Sequence, residues 1–308
     1  MKILTRAAAL LCLCLAVFTG CNKVAPPLSL SELEAKAAAK DSSAYAGLVG
    51  YLGSASTQDE RKRAYLALVG AGKSASAEIA AALEDSDPSR REHALALAGN
   101  MKLEGAVDAA YKALADTSFT RRHAAAWVLG ESGDERAIPV LVRTISTDPD
   151  ELAVREAARA VSRFGERATL PLVEALPSME PRRRGTAVRI LGELRDPRGK
   201  SAIVAALADP VTREDAMWAL GTMGVVGDPF DPAPYLKDTD WQVRLEACRA
   251  AGLIGAKSAR PILDKMRSDD PVKVVREWAA RGLALLDGSH TTYRNTSGEW
   301  DAPDNLYH

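Results

Sequence analysis

Polar and apolar residues follow a long repeating pattern along this chain. An arginine followed three residues later by alanine occurs at Arg61, Arg91, Arg122, Arg155, Arg184, Arg213, Arg244 and Arg276, at intervals of 29 to 33 residues. Small or apolar residues then fall at the third, sixth and seventh positions, as at Ala125, Val128 and Leu129, which is one face of a helix. Glycine follows at Gly130, Gly192, Gly221 and Gly252, where it is expected to stop that helix. After a short turn comes a second apolar stretch, over 137–145, 168–176, 201–207 and 259–266. Each unit therefore reads as a helix hairpin. A hairpin cannot bury both its apolar faces alone, so successive units must stack, and the recurrent alanines let first helices approach closely. The predicted fold class is all-α: an α-solenoid of stacked helix hairpins over 31–287, wound as a right-handed superhelix.

The ends depart from this pattern. Ser31 and Glu34 have capping-box spacing and begin a helix, and 44–52 supplies a second, so 31–53 is predicted to be an atypical N-terminal capping hairpin. At the other end, 274–286 reads as a first helix without a partner. The remainder, 288–308, is rich in Ser, Thr, Asn and Gly and is expected to be a flexible polar tail, in which Tyr293, Trp300 and Tyr307 offer a short docking peptide. The first twenty residues divide into a basic start (Lys2, Arg6), an apolar run over 7–18, and Thr19-Gly20 ahead of Cys21, the layout of a cleaved secretory signal. Its apolar run is too short to span a bilayer. Residues 21–30 form the linker to the repeats.

Charge narrows the picture. Forty basic residues face 41 acidic ones, and removal of the leader takes away two of the basic ones, so the basic footprint of a nucleic-acid binder is missing. Cys12 and Cys14 leave with the leader, and Cys248, in an alanine-rich helical pattern, is expected to be a buried thiol with no disulfide framework.

Two resemblances add to this reading. Phe18-Thr19-Gly20-Cys21 resembles the bacterial lipobox. That implies acylation of Cys21, a membrane attachment through the N-terminal lipid and, with Asn22 after the cysteine, the periplasmic face of the outer membrane. The hairpin pattern over 42–286 resembles HEAT repeats, of the short class related to phycobilisome lyases. An acidic residue, often with proline, precedes the repeat arginine, and Asp suits the cap while Pro suits the first turn. The resemblance implies an Asp and Arg ladder made of Asp87, Arg91, Arg122, Arg155, Arg184, Asp209, Arg213, Asp240, Arg244, Asp270 and Arg276.

Candidate chemistry is sparse. Four histidines are present, His93, His123, His290 and His308, and a metal site shared by His93 and His123 is weakened by their offset of one position relative to their arginines. The HEAT-like deoxyhypusine hydroxylases bind two irons through repeated His-Glu pairs, and no His-Glu pair occurs here. No catalytic residue, metal ligand or cofactor is assigned. The proline-rich stretch 227–235 interrupts the sixth unit. Its Asp228 and Asp231, with Asp238 and Asp240, are oxygen donors without a known loop spacing, and its Phe230 and Tyr235 are possible anchors for a partner. Trp127 and Trp218 stand five residues after their arginines, as interface anchors or packed beneath a neighbour. If second helices line the concave face, as in HEAT solenoids, Lys112, Arg143, Glu174 and Asp264 lie on it, a mixed surface suited to a protein or peptide. Arginine clusters at 90–91, 121–122 and 182–184 are a salt-bridged ridge or a contact for lipid headgroups.

The expectation is a membrane-tethered, non-enzymatic scaffold of the cell envelope that binds another envelope protein or peptide and no nucleic acid. The alternative is a ligand-binding, metal-binding or catalytic lipoprotein with its site near the irregular sixth repeat.

Overall fold

A computed structural model describes residues 28–225 and 229–303. The leader, the lipobox and Cys21, together with Asp228, Tyr307 and His308, lie outside the described residues. The described chain is helical almost throughout. Helices α1 (Leu30–Ala38) and α2 (Tyr45–Gly50) form the first hairpin. Then come α3 (Gln58–Ala71), α4 (Ser76–Ala82), α5 (Pro88–Met101), α6 (Ala106–Ala115), α7 (Arg122–Ser132) and α8 (Ala137–Thr147). These are followed by α9 (Glu151–Arg163), α10 (Thr169–Ala175), α11 (Pro181–Leu194), α12 (Pro197–Ala206), α13 (Arg213–Met223), α14 (Trp241–Ile254), α15 (Arg260–Asp269) and α16 (Lys273–Asp287). In the sixth unit the 3-10 turn Ala233–Lys237 takes the place of a second helix, since prolines at 229, 232 and 234 remove the donors a longer helix needs. No described helix is long and apolar enough to cross a membrane.

Helix starts follow from their caps. The Asp87, Asp150, Asp196 and Asp240 carboxylates each accept a backbone N–H of the following turn, satisfying donors that have no partner inside the helix. The capping box of α1 is Ser29 with Glu32, not the Ser31 and Glu34 pair that the same spacing suggested. Ser31 is already inside the helix, where its hydroxyl accepts from Arg63.

Repeat glycines have a different role from the expected one. Gly130, Gly192, Gly221 and Gly252 do not end their helices. They lie inside α7, α11, α13 and α14, where the next first helix comes so close that a side chain would collide with it. A Cβ on Gly192 would stand 2.6 Å from the Ala219 Cα, and one on Gly130 would stand 2.6 Å from the Ala160 Cβ. The actual stop is three residues later, a left-handed or positive-φ residue at Lys102, Gly133, Arg195, Gly224 and Gly255. Ser162 occupies the glycine position in α9, and there the contact with α11 is looser and is bridged by a Ser162 to Glu193 hydrogen bond of 3.2 Å.

Between units, four ladder arginines reach the aspartate that begins the next repeat. Arg122 pairs bidentately with Asp148 at 2.8 and 3.0 Å, Arg184 with Asp209 at 3.0 Å, Arg213 with Asp238 at 3.1 Å, and Arg244 with Asp270 at 2.8 and 3.2 Å. The same guanidinium groups donate to carbonyls just ahead of their own helix, such as Phe119, Met179 and Leu207. Asp240 is not a rung; it caps α14 and leaves the pairing to Asp238. Asp87 caps α5 and also accepts from Ser54 at 2.8 Å, while Arg91 donates to the carbonyls of Asp85 and Ser86. Arg155 is out of register by one. Counting four residues from the cap Asp150, or eleven back from the positive-φ Gly165, reaches buried Val154, and Arg155 points to solvent.

The last rung ends differently. Arg276 donates to the carbonyls of Asp270 and Arg294, so the segment read from sequence as a flexible tail folds back in its first half. A two-stranded hairpin, β1 (Tyr293–Arg294) and β2 (Trp300–Asp301), lies against α15 and α16. Tyr293 is buried, the Arg267 guanidinium stacks 4.6 Å from the Trp300 ring centre, and Thr291 donates to the Ala280 carbonyl. Aromatic surface thereby covers the end of the solenoid where a further repeat would otherwise sit.

Candidate active site

A cleft of about 430 Å³ crosses three successive first helices. Gln58, Arg61, Lys62, Tyr65 and Leu66 of α3 form one wall, His93 of α5 the floor, and Arg121, at the start of α7, the far side. Residues come together here because stacked first helices place positions about one repeat apart side by side. Tyr65 and His93 meet edge to face with ring centres 6.3 Å apart, and Asn100 donates to the Tyr65 hydroxyl at 3.0 Å. Tyr65 therefore keeps its own O–H to donate.

His93 is 8% exposed. The ring nitrogen Nδ1 lies 2.7 Å from the Ser89 carbonyl, an acceptor, which fixes the proton on Nδ1 and leaves Nε2 with its lone pair. The Ser89 hydroxyl, which donates to the Leu52 carbonyl, stands 3.4 Å from the same Nδ1. Burial pushes the His93 pKa below its ordinary value, the Ser89 carbonyl that accepts from the ring opposes it, the positive Arg121 and Arg61 push downward, and Glu92 pushes upward. At neutral pH the ring is an uncharged base.

Glu92 braces the far side. Its Oε1 accepts from the backbone and hydroxyl of Thr120 at 2.7 and 2.6 Å, and its Oε2 lies 3.8 Å from the Arg121 Nε. Arg61 donates to the carbonyls of Ser56 and Gly53. Lys62 is exposed, with no ion pair among the described residues.

Other candidate positions do not converge. Lys112 pairs with Glu84 at 2.7 Å and Asp264 with Arg267 at 2.8 Å; Arg143 and Glu174 are exposed on α8 and α10. Trp127 is half-buried against α5 at Gly99. Trp218 is half-buried between repeats, with the guanidinium groups of Arg189 and Arg249 4.9 and 5.5 Å from its ring centre. Phe230 and Tyr235 pack on each other with ring centres 6.1 Å apart. Near the sixth unit, Asp231 accepts from the Ala233 backbone and Ser258, Asp238 pairs with Arg213, and Asp240 caps a helix, so their oxygens are turned to separate structural tasks. Cys248 is fully buried and its thiol pKa is pushed up by burial.

Profiles for known repeats match over much of the chain. The HEAT repeats profile matches residues 75–162, 108–181 and 231–284, together more than half of the sequence, and the PBS lyase HEAT-like repeat profile matches 183–209. The chain belongs to the HEAT-repeat family. Over 90 residues it is 36% identical to a deoxyhypusine hydroxylase of Schizosaccharomyces pombe, a stretch that is 29% of this chain and 27% of that protein. The chain therefore spans about a quarter of that relative's length. Human deoxyhypusine hydroxylase in complex with glycerol is 23% identical over 84% of this chain and all of that one, with a TM-score of 0.32. An archaeal HEAT-like repeats protein from Thermococcus onnurineus is 14% identical over 85% of this chain and 98% of that one, with a TM-score of 0.39.

Likeness in sequence to an enzyme overturns the expectation of a non-enzymatic scaffold for this HEAT-repeat protein. Di-iron ligation of the hydroxylase kind does not fit its donors. No group of three or more His, Cys, Asp or Glu able to hold a metal occurs among the described residues. Glu92 is committed to Thr120, and His93 uses Nδ1 on Ser89. Sequence reasoning had noticed His93 only as half of a metal pair and Arg121 only as part of a charged ridge. It missed Tyr65 and Lys62, whose signal was a register offset: Tyr65 and His93 are 28 residues apart, a little less than one repeat.

Proposed function

We propose that this HEAT-repeat protein is an enzyme whose substrate site is the cleft across α3, α5 and the start of α7, with His93 as its proton acceptor. The carrying observation is the orientation of His93: Nδ1–H is spent on a backbone carbonyl, burial keeps the ring neutral, and the ring lines a cleft of ligand size. Such a base serves a hydrolysis or an isomerisation, both of which return the proton to the product. Tyr65 donates to a substrate oxygen. Partial likeness to deoxyhypusine hydroxylase supports an enzyme as the class of protein, while the donor set supplies no step through iron.

The test is turnover of a panel of small esters, phosphoesters and hydroxy acids by the wild type and by His93→Gln, with the thermal midpoint measured alongside. Turnover lost in a variant that stays folded supports the reading. Turnover that survives His93→Gln unchanged, or that is absent across the panel in the wild type, sinks it.

We also infer that the chain is exported and acylated on Cys21, a reading supported by the basic start, the short apolar run and the small pair before the cysteine. Metabolic labelling with a fatty acid should mark the wild type and not Cys21→Ser; equal labelling of both would exclude it.

A further inference from the structure

Several cations on the first helices are matched by carboxylates at hydrogen-bond distance. Arg63, on the same helix as the cleft wall, holds Glu34 through two hydrogen bonds, and Arg90 pairs with Asp85 at 2.9 Å. The cleft is arranged differently. Its lining holds Arg61, Lys62 and Arg121 and no carboxylate. Glu92 stands behind Arg121 with one oxygen taken by Thr120 and the other beyond hydrogen-bond distance, so the guanidinium donors of Arg121 make no hydrogen bond among the described residues. Arg61, Lys62 and Arg121 around one concave space, offset in part by the Glu92 carboxylate 3.8 Å from Arg121, leave a net positive potential that a bound anion would meet. Beside Arg61 and Lys62 on α3, the Tyr65 ring and Leu66, which is 57% exposed, present apolar surface to the same space.

We propose that the ligand of this cleft carries an anionic oxygen group, a phosphate or a carboxylate, held by Lys62 and Arg121, with its apolar portion against Tyr65 and Leu66. This deepens, and rests on, the reading of the cleft as the substrate site. Arg121 offers a planar fork matched to two oxygens and Lys62 a mobile point charge, the division of labour seen wherever an oxyanion is both oriented and neutralised. His93 at the floor is then within the field of the bound anion, which raises its basicity when the ligand arrives.

The experiment uses the full chain with isotope-labelled histidine, following the His93 ring signals by NMR while inorganic phosphate is added at constant ionic strength, with chloride as the matched control. A saturable shift of the His93 signals, an upward move of its apparent pKa, and an affinity weakened about tenfold or more by Lys62→Gln and by Arg121→Gln support the assignment. Thermal midpoints of both variants without phosphate should match the wild type, which separates lost binding from lost structure. No response to phosphate, or wild-type affinity in both variants, overturns it. Phenol as a neutral probe distinguishes the failures: if phenol shifts His93 and phosphate does not, the site stands and the anion is wrong; if neither does, both readings fall.

Discussion

Alanine at Gly192 adds one methyl group, and the structure gives that methyl no space. It would stand 2.6 Å from both the Cα and the Cβ of Ala219 and 2.9 Å from the Ala219 carbonyl oxygen. Two of those three neighbours are backbone, so no rotamer change relieves the contact, and α11 must move away from α13. Overpacking of this kind costs about 1–3 kcal/mol. Alanine is the better helix former by about 1 kcal/mol, which offsets part of the loss. Because the clash is with backbone, the cost falls in the upper part of that range, about 2–3 kcal/mol, and the net expectation is a destabilisation of about 1–2 kcal/mol, at about 2–4 °C of thermal midpoint for each kcal/mol. Gly70→Ala is the control of opposite sign, because nothing lies within 4 Å of the added methyl in α3. It should stabilise the protein by about 0.4–1 kcal/mol. Urea titration followed by circular dichroism measures both. If Gly192→Ala is as stable as the wild type while Gly70→Ala gains, the first helices do not meet as closely as described and the account of the repeat glycine fails.

Three further outcomes follow from particular residues. Arg122 and Asp148 are both buried, so Arg122→Ala, which strands a carboxylate, should cost about 3–5 kcal/mol in urea unfolding, whereas solvent-facing Arg155→Ala should cost under about 0.5 kcal/mol. A similar cost for the two would refute the register shift in α9. Burial lowers the His93 pKa from its ordinary 6.5, so the unfolded chain binds more protons than the folded one between the lowered value and about 6.5. Stability from this group is present above that window and lost as pH falls through it, against the opposing pull of the Ser89 carbonyl and Glu92 and with that of Arg121 and Arg61. The wild type should therefore lose more stability than His93→Gln between about pH 7 and 5, and parallel pH profiles would contradict a depressed pKa. Cys248, fully buried with its pKa raised, should react with a thiol reagent only after denaturation; rapid labelling of the folded chain would place it elsewhere.

How much of this was legible in the sequence depends on the length scale of the interaction. Spacing of Ala125, Val128 and Leu129 exposes a helix face because that pattern is local, and recurrence near 30 residues exposes stacking because each hairpin needs a neighbour. Gly192 was visible as a recurring glycine but not in its role: a helix stop and a close helix contact both select glycine, and only the partner, Ala219, decides between them. Arg155 misled because it obeys the same alanine spacing as a true rung; the cap at Asp150 and the turn at Gly165 show the real register, and neither is legible until backbone angles are known.

The cleft was hidden for a further reason. Tyr65, His93 and Arg121 belong to three different repeats and carry no motif, since their proximity comes from the offset between stacked helices and not from spacing along the chain. A repeat fold separates its two kinds of information in this way. Residues that recur in every unit, such as Arg122 with Asp148 and Arg244 with Asp270, hold the stack, and their recurrence makes them easy to find. Residues proposed to act on a ligand are those that depart from the repeat, as Lys62 and His93 do beside their neighbours' equivalents, and a departure becomes meaningful only when several meet in one place. In this chain Lys62 and Arg121 beside His93 are such a meeting, which is why we propose the cleft, and not the ladder, as the place where chemistry belongs.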